Sequence, residues 1–340
     1  MLKRALVIVW VLFAFLPGRS QVVYEDVANT GIYEFLDELA NHRIIDLNSA
    51  VKPYARTLIA EKLQQAYNLH RERESRKDKG CLDQRQWKEL LFYLQDYQLD
   101  LPKASWPGVT GKKPEGTTGP ARMAEHFDYK LGFLFPRQEN MVLALNPAGY
   151  LYKDSLFTFS ARPVLGLRSW ANANGSGYHR WWGGSMFGYI GEHVGFYATL
   201  TDNNATEPLA EPEYFNQEQG AVWKTGSQGG IDFSEMRGGM TASVKWGSLG
   251  LMNDRIMWGD HYHGSNILSG KAPAFPYVQL HLNPARWFDF NYIHGWLNSG
   301  IVDSTRSHMD GDIYREVYYN KYIAANLFTF IPWRGLNISF

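Results

Sequence analysis

Two short blocks of this chain join the residue types that hold carbohydrate. Arg180-Trp181-Trp182-Gly183-Gly184 and Asp254-Arg255-Ile256-Met257-Trp258-Gly259 each combine arginine, tryptophan and glycine at the end of a strand pattern. Planar aromatic faces and fixed polar groups hold a sugar, and a guanidinium grips a carboxylate through two parallel hydrogen bonds. Arg180, Trp182, Arg255 and Trp258 are therefore candidate polysaccharide contacts. Arg162 and Arg168 join them from mid-strand, and Asp260 and His263 from the loop after Trp258. The plainer alternative stays open for each: a tryptophan at a membrane interface, or an arginine whose stem lies on apolar surface and whose head reaches water.

Catalytic patterns are missing. The chain has no HExxH, no GxSxG, no P-loop and no CxxC pair. His261-Tyr262-His263 beside Asp260 is the nearest approach to a metal cluster. Its setting between Gly259 and Gly264 reads as a solvated loop, so neither a metal nor a cofactor is expected. Carboxylates are frequent, but nothing in the sequence places two of them at the roughly 5–9 Å separation that glycoside hydrolysis needs.

The elements that must position these residues fall into two textures. Residues 21–101 read as a small helical bundle. Asn29-Thr30 caps a first helix with Ile32, Phe35, Leu36 and Leu39 on one face. Ser49 starts a second helix carrying Val51, Tyr54, Leu58, Ile59, Leu63 and Ala66, with Pro53 in its first turn. The charge run Arg71–Lys79 reads as a loop or solvated face, and Asp83 precedes a third helix with Trp87, Leu90, Leu91, Leu94 and Tyr97. Residues 102–124 are a linker rich in Pro and Gly.

From residue 125 the period changes to two. Phe157, Phe159, Ala161, Leu165 and Leu167 alternate with Thr158, Ser160, Arg162, Gly166 and Arg168. Val194–Thr201, Pro276–Leu282 and Phe288–Asn291 behave alike. Short turns at Gly191-Glu192 and Asn283–Arg286 contrast with a long excursion at Asp202–Glu235. Arg162, Arg168, Lys245 and His281 fall on one alternating face, which suits a wet lumen. Trp170, Trp181, Trp182, Trp246, Trp258, Trp287 and Trp296 lie near strand ends, as in interfacial girdles. The fold expected is mainly β: an antiparallel transmembrane β-barrel over residues 125–340, with the helical bundle before it. A soluble β-sandwich is the competing architecture.

Composition agrees. Residues 5–16 form an apolar run behind Lys3 and Arg4, and Gly18 and Ser20 follow it. This is the order of a signal peptide over residues 1–20, too short to span a bilayer, which takes about 20 apolar residues. With Lys3, Arg4 and Arg19 removed the chain is mildly acidic, so no nucleic-acid partner is expected. Cys81 is the single cysteine, which excludes an internal disulfide. Aromatics make up 15% of residues while mean hydropathy is −0.35, a pairing typical of strands with one lipid-facing side.

The stretch Asp254–Leu282 resembles the capsule assembly Wzi family. It shows Trp258-Gly259, a short loop, Ser265-Asn266 and Ser269-Gly270, then Ala272-Pro273 and a strand. The stretch His42–Leu63, with Ile44-Ile45 and Pro53-Tyr54-Ala55-Arg56, resembles the family's N-terminal helical segment. Trp287–Trp296 and Tyr318–Phe330 resemble one of its branches. The resemblance implies an outer-membrane barrel of about eighteen strands with the helical bundle in the periplasm. It also implies a lectin-like, non-enzymatic role in anchoring capsular or other surface polysaccharide, with outer-membrane lipid around the wall. At roughly 20 residues per strand and connection, residues 125–340 supply only about 10–12 strands. The chain is therefore expected to be truncated at its C-terminus. Two alternatives stand beside this role: an outer-membrane scaffold or pore component of surface motility or transport, and an exported carbohydrate-active enzyme. The sequence names no protein partner.

Overall fold

The structure, a computed structural model, describes residues 21–76, 80–101, 141–145, 148–154, 156–173, 175–206, 223–225, 230–259, 268–270, 272–333 and 335–340. The leader at 1–20, the linker at 102–124 and the loop holding Asp260 and His263 lie outside the described residues.

Three helices form the N-terminal unit: α1 (Thr30–Asn41), α2 (Arg56–Ser75) and α3 (Gln84–Asp96). Their apolar spacing works as read. Ile32, Leu36 and Leu39 of α1 meet Ile59 and Leu63 of α2 and Leu90 of α3 in one buried cluster. Each such side chain contributes about 1.5–3 kcal/mol on burial. Asp83, read only as preceding α3, caps it: its carboxylate accepts from the Gln86 amide at 2.7 Å, and the Gln86 side chain accepts from the Asp83 amide at 2.9 Å.

Other helix expectations need correction. Asn29 makes no side-chain cap on α1; its amide bonds Glu25 at 3.3 Å instead. The second helix starts at Arg56, not after Ser49, and Pro53 precedes it. The reason is tertiary: Val51–Lys52 is drawn into a short strand, β1, by antiparallel pairing with Met257–Trp258 (β10). Of the two readings of the charge run, a solvated face holds through Ser75 and a loop does not, because α2 continues to that residue with the run's side chains exposed. Arg71–Glu74 and Arg76–Glu72 pairs lie along this exposed stretch.

Among the described residues, twelve strands make one antiparallel sheet. It begins with β2 (Met141–Leu145), β3 (Ala148–Lys153), β4 (Phe157–Asn172), β5 (Gly175–Ile190) and β6 (Val194–Thr206). The order continues through β8 (Gly230–Val244), β9 (Gly247–Asp254), β11 (Phe275–Ala285), β12 (Phe288–Val302), β15 (Tyr318–Trp333) and β16 (Leu336–Ser339). β7 (Trp223–Thr225) pairs with β8 beside this path. β13 (His308–Asp310) and β14 (Ile313–Arg315) form a separate hairpin. β2 and β16 end the order, and no pairing joins them among the described residues.

One rim carries tight connections at Gly191–His193, Lys245–Trp246 and Arg286–Trp287. Lys245 is thus a turn residue rather than a mid-strand one, and the turn expected at Asn283–Arg286 falls later. The excursion read over Asp202–Glu235 is shorter, since β6 runs to Thr206 and β8 begins at Gly230.

The faces of the sheet invert the usual order. The inward face carries Thr158, Ser160, Thr201, Asn203, Thr241, Ser243, Gln279, Asn291 and Thr329, all buried. The outward face carries Leu165, Leu167, Met186, Leu200, Met236, Met240, Leu249 and Leu251, all exposed. The alternation read from sequence is present, with the polar set buried and the apolar set outside.

The helical unit is docked on the inward face. Val23, Tyr24 and Leu99 share one buried cluster with Phe187, Tyr189, Tyr197, Met252, Tyr277 and Ile293 of the strands. The bundle read as a separate unit is therefore fastened to the sheet. No helix among the described residues is long and apolar enough to cross a membrane.

Candidate functional site

Strand register arranges the inward side chains in rungs, and these divide into two zones. The lower zone is the seam with the helical unit. Here Arg56 of α2 lies between Glu25 and Asp100, bonding the Asp100 carboxylate at 3.0 and 3.2 Å. Its guanidinium stands 4.3 Å from the Tyr97 ring and 4.2 Å from the Phe187 ring. Tyr189 donates to the same Asp100. Burial opposes the Glu25 carboxylate, yet Arg56 and Arg237 prevail and hold its pKa below the ordinary value. Burial pushes the Tyr24 phenol up to about 12.

A second lock lies across the sheet. Arg237 grips Asp254 through two bonds of 2.8 and 2.9 Å, and Tyr197 donates to Asp254 at 2.6 Å. Arg237 also reaches the Tyr24 carbonyl at 3.2 Å and Asp26 at 3.6 Å. Three sequence candidates belong to this seam. Arg162 pairs with Asp96 of α3, Arg255 pairs with Glu235 and lies 4.0 Å from Asp26, and Trp258 is buried beside Val51.

The upper zone begins above the Arg162–Arg237 rung. Register aligns Gly166, Trp181, Asn203 and Phe233 across β4, β5, β6 and β8. The next rung holds Arg168, His179, Ala205 and Ile231, and beyond it Trp170 faces Gly177. Glycine is required at two of these places. A β-carbon on Gly166 would lie 2.0 Å from the Trp181 indole, and one on Gly177 would lie 2.5 Å from that of Trp170. Each indole therefore lies across the neighbouring strand. The His179 ring stands 4.9 Å from Trp181 and 5.9 Å from Phe233, and its Nε2 meets Asn203 Oδ1 at 3.0 Å. Arg168 is exposed beside His179, with no ion-pair partner among the described residues. The result is an aromatic shelf with one available cation and fixed amide and imidazole groups.

Arg180 and Trp182 are not on this shelf. They alternate with Trp181 and so point outward, Arg180 over the Tyr178 ring at 5.8 Å and Trp182 61% exposed. The eight sequence candidates thus do not converge. Of those described, three are at the seam, two are outward, and Arg168 alone is on the shelf. Trp181, His179, Trp170 and Asn203 were missed. Period two already puts His179 and Trp181 together and apart from Arg180 and Trp182; the glycine partners across the sheet depend on register, which a single sequence does not reveal.

The tryptophans also divide. Trp170 and Trp181 face inward and Trp258 is buried in the seam beside β1, whereas Trp182 and Trp296 face outward and Trp246 and Trp287 sit in turns. No group of three His, Cys, Asp or Glu side chains suited to a metal occurs among the described residues. Glu235, the nearest carboxylate by register on the shelf's own face among the described residues, is paired with Arg255.

No family model, no curated protein and no solved structure matches this chain.

Proposed function

We propose that this chain forms part of an outer-membrane β-barrel wall and anchors capsular or other surface polysaccharide without chemical turnover. In this reading it is a member of the Wzi type, with its helical unit on the periplasmic side. The observation that carries it is the inverted polarity of the sheet, joined to an open aromatic and arginine shelf on the polar face. Leu165, Leu200, Met236 and Leu251 would face hydrocarbon, a setting in which exposed apolar side chains are stabilising. The outward apolar run on β5, from Ile190 to Trp182, covers about 26 Å before tilt at ~3.3 Å per residue, against an apolar band of about 25 Å in such barrels. Toward β6 and β8 it stops in line, while on β4 Leu167 continues one step further, level with Arg180. Trp182 is level with Asp202 and Ser234, and Arg180 with Asn204 and Asp232. That line fits a membrane surface.

Deleting the gene tests the function. Polymer synthesis should continue while the glycan is shed into the medium; full retention at the surface would sink the proposal. A scaffold role draws on a different observation, the exposed Met309, Ile313 and Tyr314 of the β13–β14 hairpin. It predicts that the folded protein binds no glycan.

A further inference from the structure

We infer that the inward shelf of Arg168, Trp170, His179, Trp181 and Asn203 is a subsite for one carboxylate-bearing sugar unit at the end of a surface polysaccharide chain. The inference rests on the function proposed above and assigns its recognition to specific residues.

The argument starts from charge. Arg162 and Arg237, the companions of Arg168 on the inward face of these strands, end on Asp96 and Asp254. Arg168 has no carboxylate within ion-pair distance among the described residues, and it is exposed. A guanidinium on a polar face is matched by a planar anion that it can bind with two bonds. A sugar carboxylate has that shape.

The surroundings select a ring rather than a bare ion. Two indoles lie across Gly166 and Gly177, so the wall beside Arg168 offers aromatic surface and not a Cβ ridge. His179 and Asn203, linked at 3.0 Å, add polar groups suited to hydroxyls next to that surface. Phe233 is 3% exposed and backs the His179 ring, which limits its movement.

The floor selects an end. Two rungs below Trp181, the Arg162–Asp96 and Arg237–Asp254 pairs mark where the helical unit meets the sheet. A chain that entered along the shelf would stop there. The geometry suits a terminus in preference to the middle of a polymer.

The test uses the full protein in phospholipid nanodiscs. The probes are oligosaccharides cut from the producing cells' own surface polymer, and the same fragments after chemical reduction of their carboxyl groups. Calorimetric titration should show the native fragments binding about tenfold more tightly than the reduced ones, the weight of one charge-assisted hydrogen-bond pair. Arg168→Gln should bind both forms alike, at the level of wild type with reduced fragments. Trp181→Ala should weaken both forms several-fold. Gly166→Ala, whose methyl would displace the Trp181 indole from beneath, should do the same if Trp181→Ala fails to fold. Arg180→Gln, on the outward face, should match wild type. Undiminished binding of native fragments by Arg168→Gln and by the Trp181 or Gly166 variant would overturn the subsite and leave the anchoring function standing. Failure of wild type to bind either form would overturn both.

Discussion

The helical unit and the sheet solve opposite solvent problems with the same chemistry. In the helices Ile32, Leu36, Leu63 and Leu90 are hidden together, and Arg71, Arg76 and Glu72 face water. In the sheet Leu165, Leu251 and Met240 face outward while Ser160, Thr241 and Asn291 are buried. Apolar surface is unfavourable only against water, so an apolar exterior is stable where the surroundings are hydrocarbon. Where the two regions meet, neither rule suffices. The seam is fixed by buried arginines: Arg162 takes Asp96 from the helical unit, Arg56 takes Glu25 and Asp100 within that unit and lies against Phe187 of the sheet, and Arg237 and Arg255 take Asp254 and Glu235 on the sheet side with Asp26 farther off.

Removing a seam arginine should have the largest effect. Arg56→Ala leaves Glu25 and Asp100 buried without their cation, and should destabilise the docked state by about 3–5 kcal/mol. Urea unfolding followed through Tyr and Trp fluorescence measures this; an unchanged midpoint would mean that the helical unit is not held by that lock. The inverted polarity is tested next. Leu251→Arg places a charge in the middle of the outward apolar face, and should cost ~2–4 kcal/mol of folding into bilayers. Leu91→Arg, on an exposed position of α3, should change stability by no more than about 0.5 kcal/mol. If both variants behave alike, the outward face is not lipid-facing and the contrast between the regions collapses. Smaller still is Asp83→Ala, which removes the cap of α3 and should cost about 1 kcal/mol in the helical unit alone.

Acid and base should open the seam from opposite sides. The Glu25 pKa is depressed in the folded protein from 4.5. Its stabilising contribution is complete above that value and is lost as pH falls through the lower folded pKa. Tyr24 is raised from 10.0 to about 12, so its contribution is complete below pH 10 and fades between pH 10 and about 12. Proteolytic release of the helical unit against pH should therefore rise at both extremes. A flat profile would separate the seam from these two groups.

Much of this architecture was legible in the residues. The helix-period faces of α1 and α3, the start of α3 after Asp83 and the two-residue alternation from Phe157 onward depend on local geometry, which recurs wherever the pattern recurs. The start of α2 was not legible, because Val51–Lys52 pairs with β10 some 200 positions away in the chain. The site divides along the same line. Alternation separates Trp181 from Arg180 and Trp182, and it groups His179 with Trp181. That Arg162 and Arg255 serve the seam, that Gly166 underlies Trp181, and that Arg168, unlike Arg162 and Arg237 on the same strands, has no ion-pair partner among the described residues were decided by register and docking. Side-chain direction within a strand is a property of the sequence; which partner stands opposite is a property of the assembled sheet.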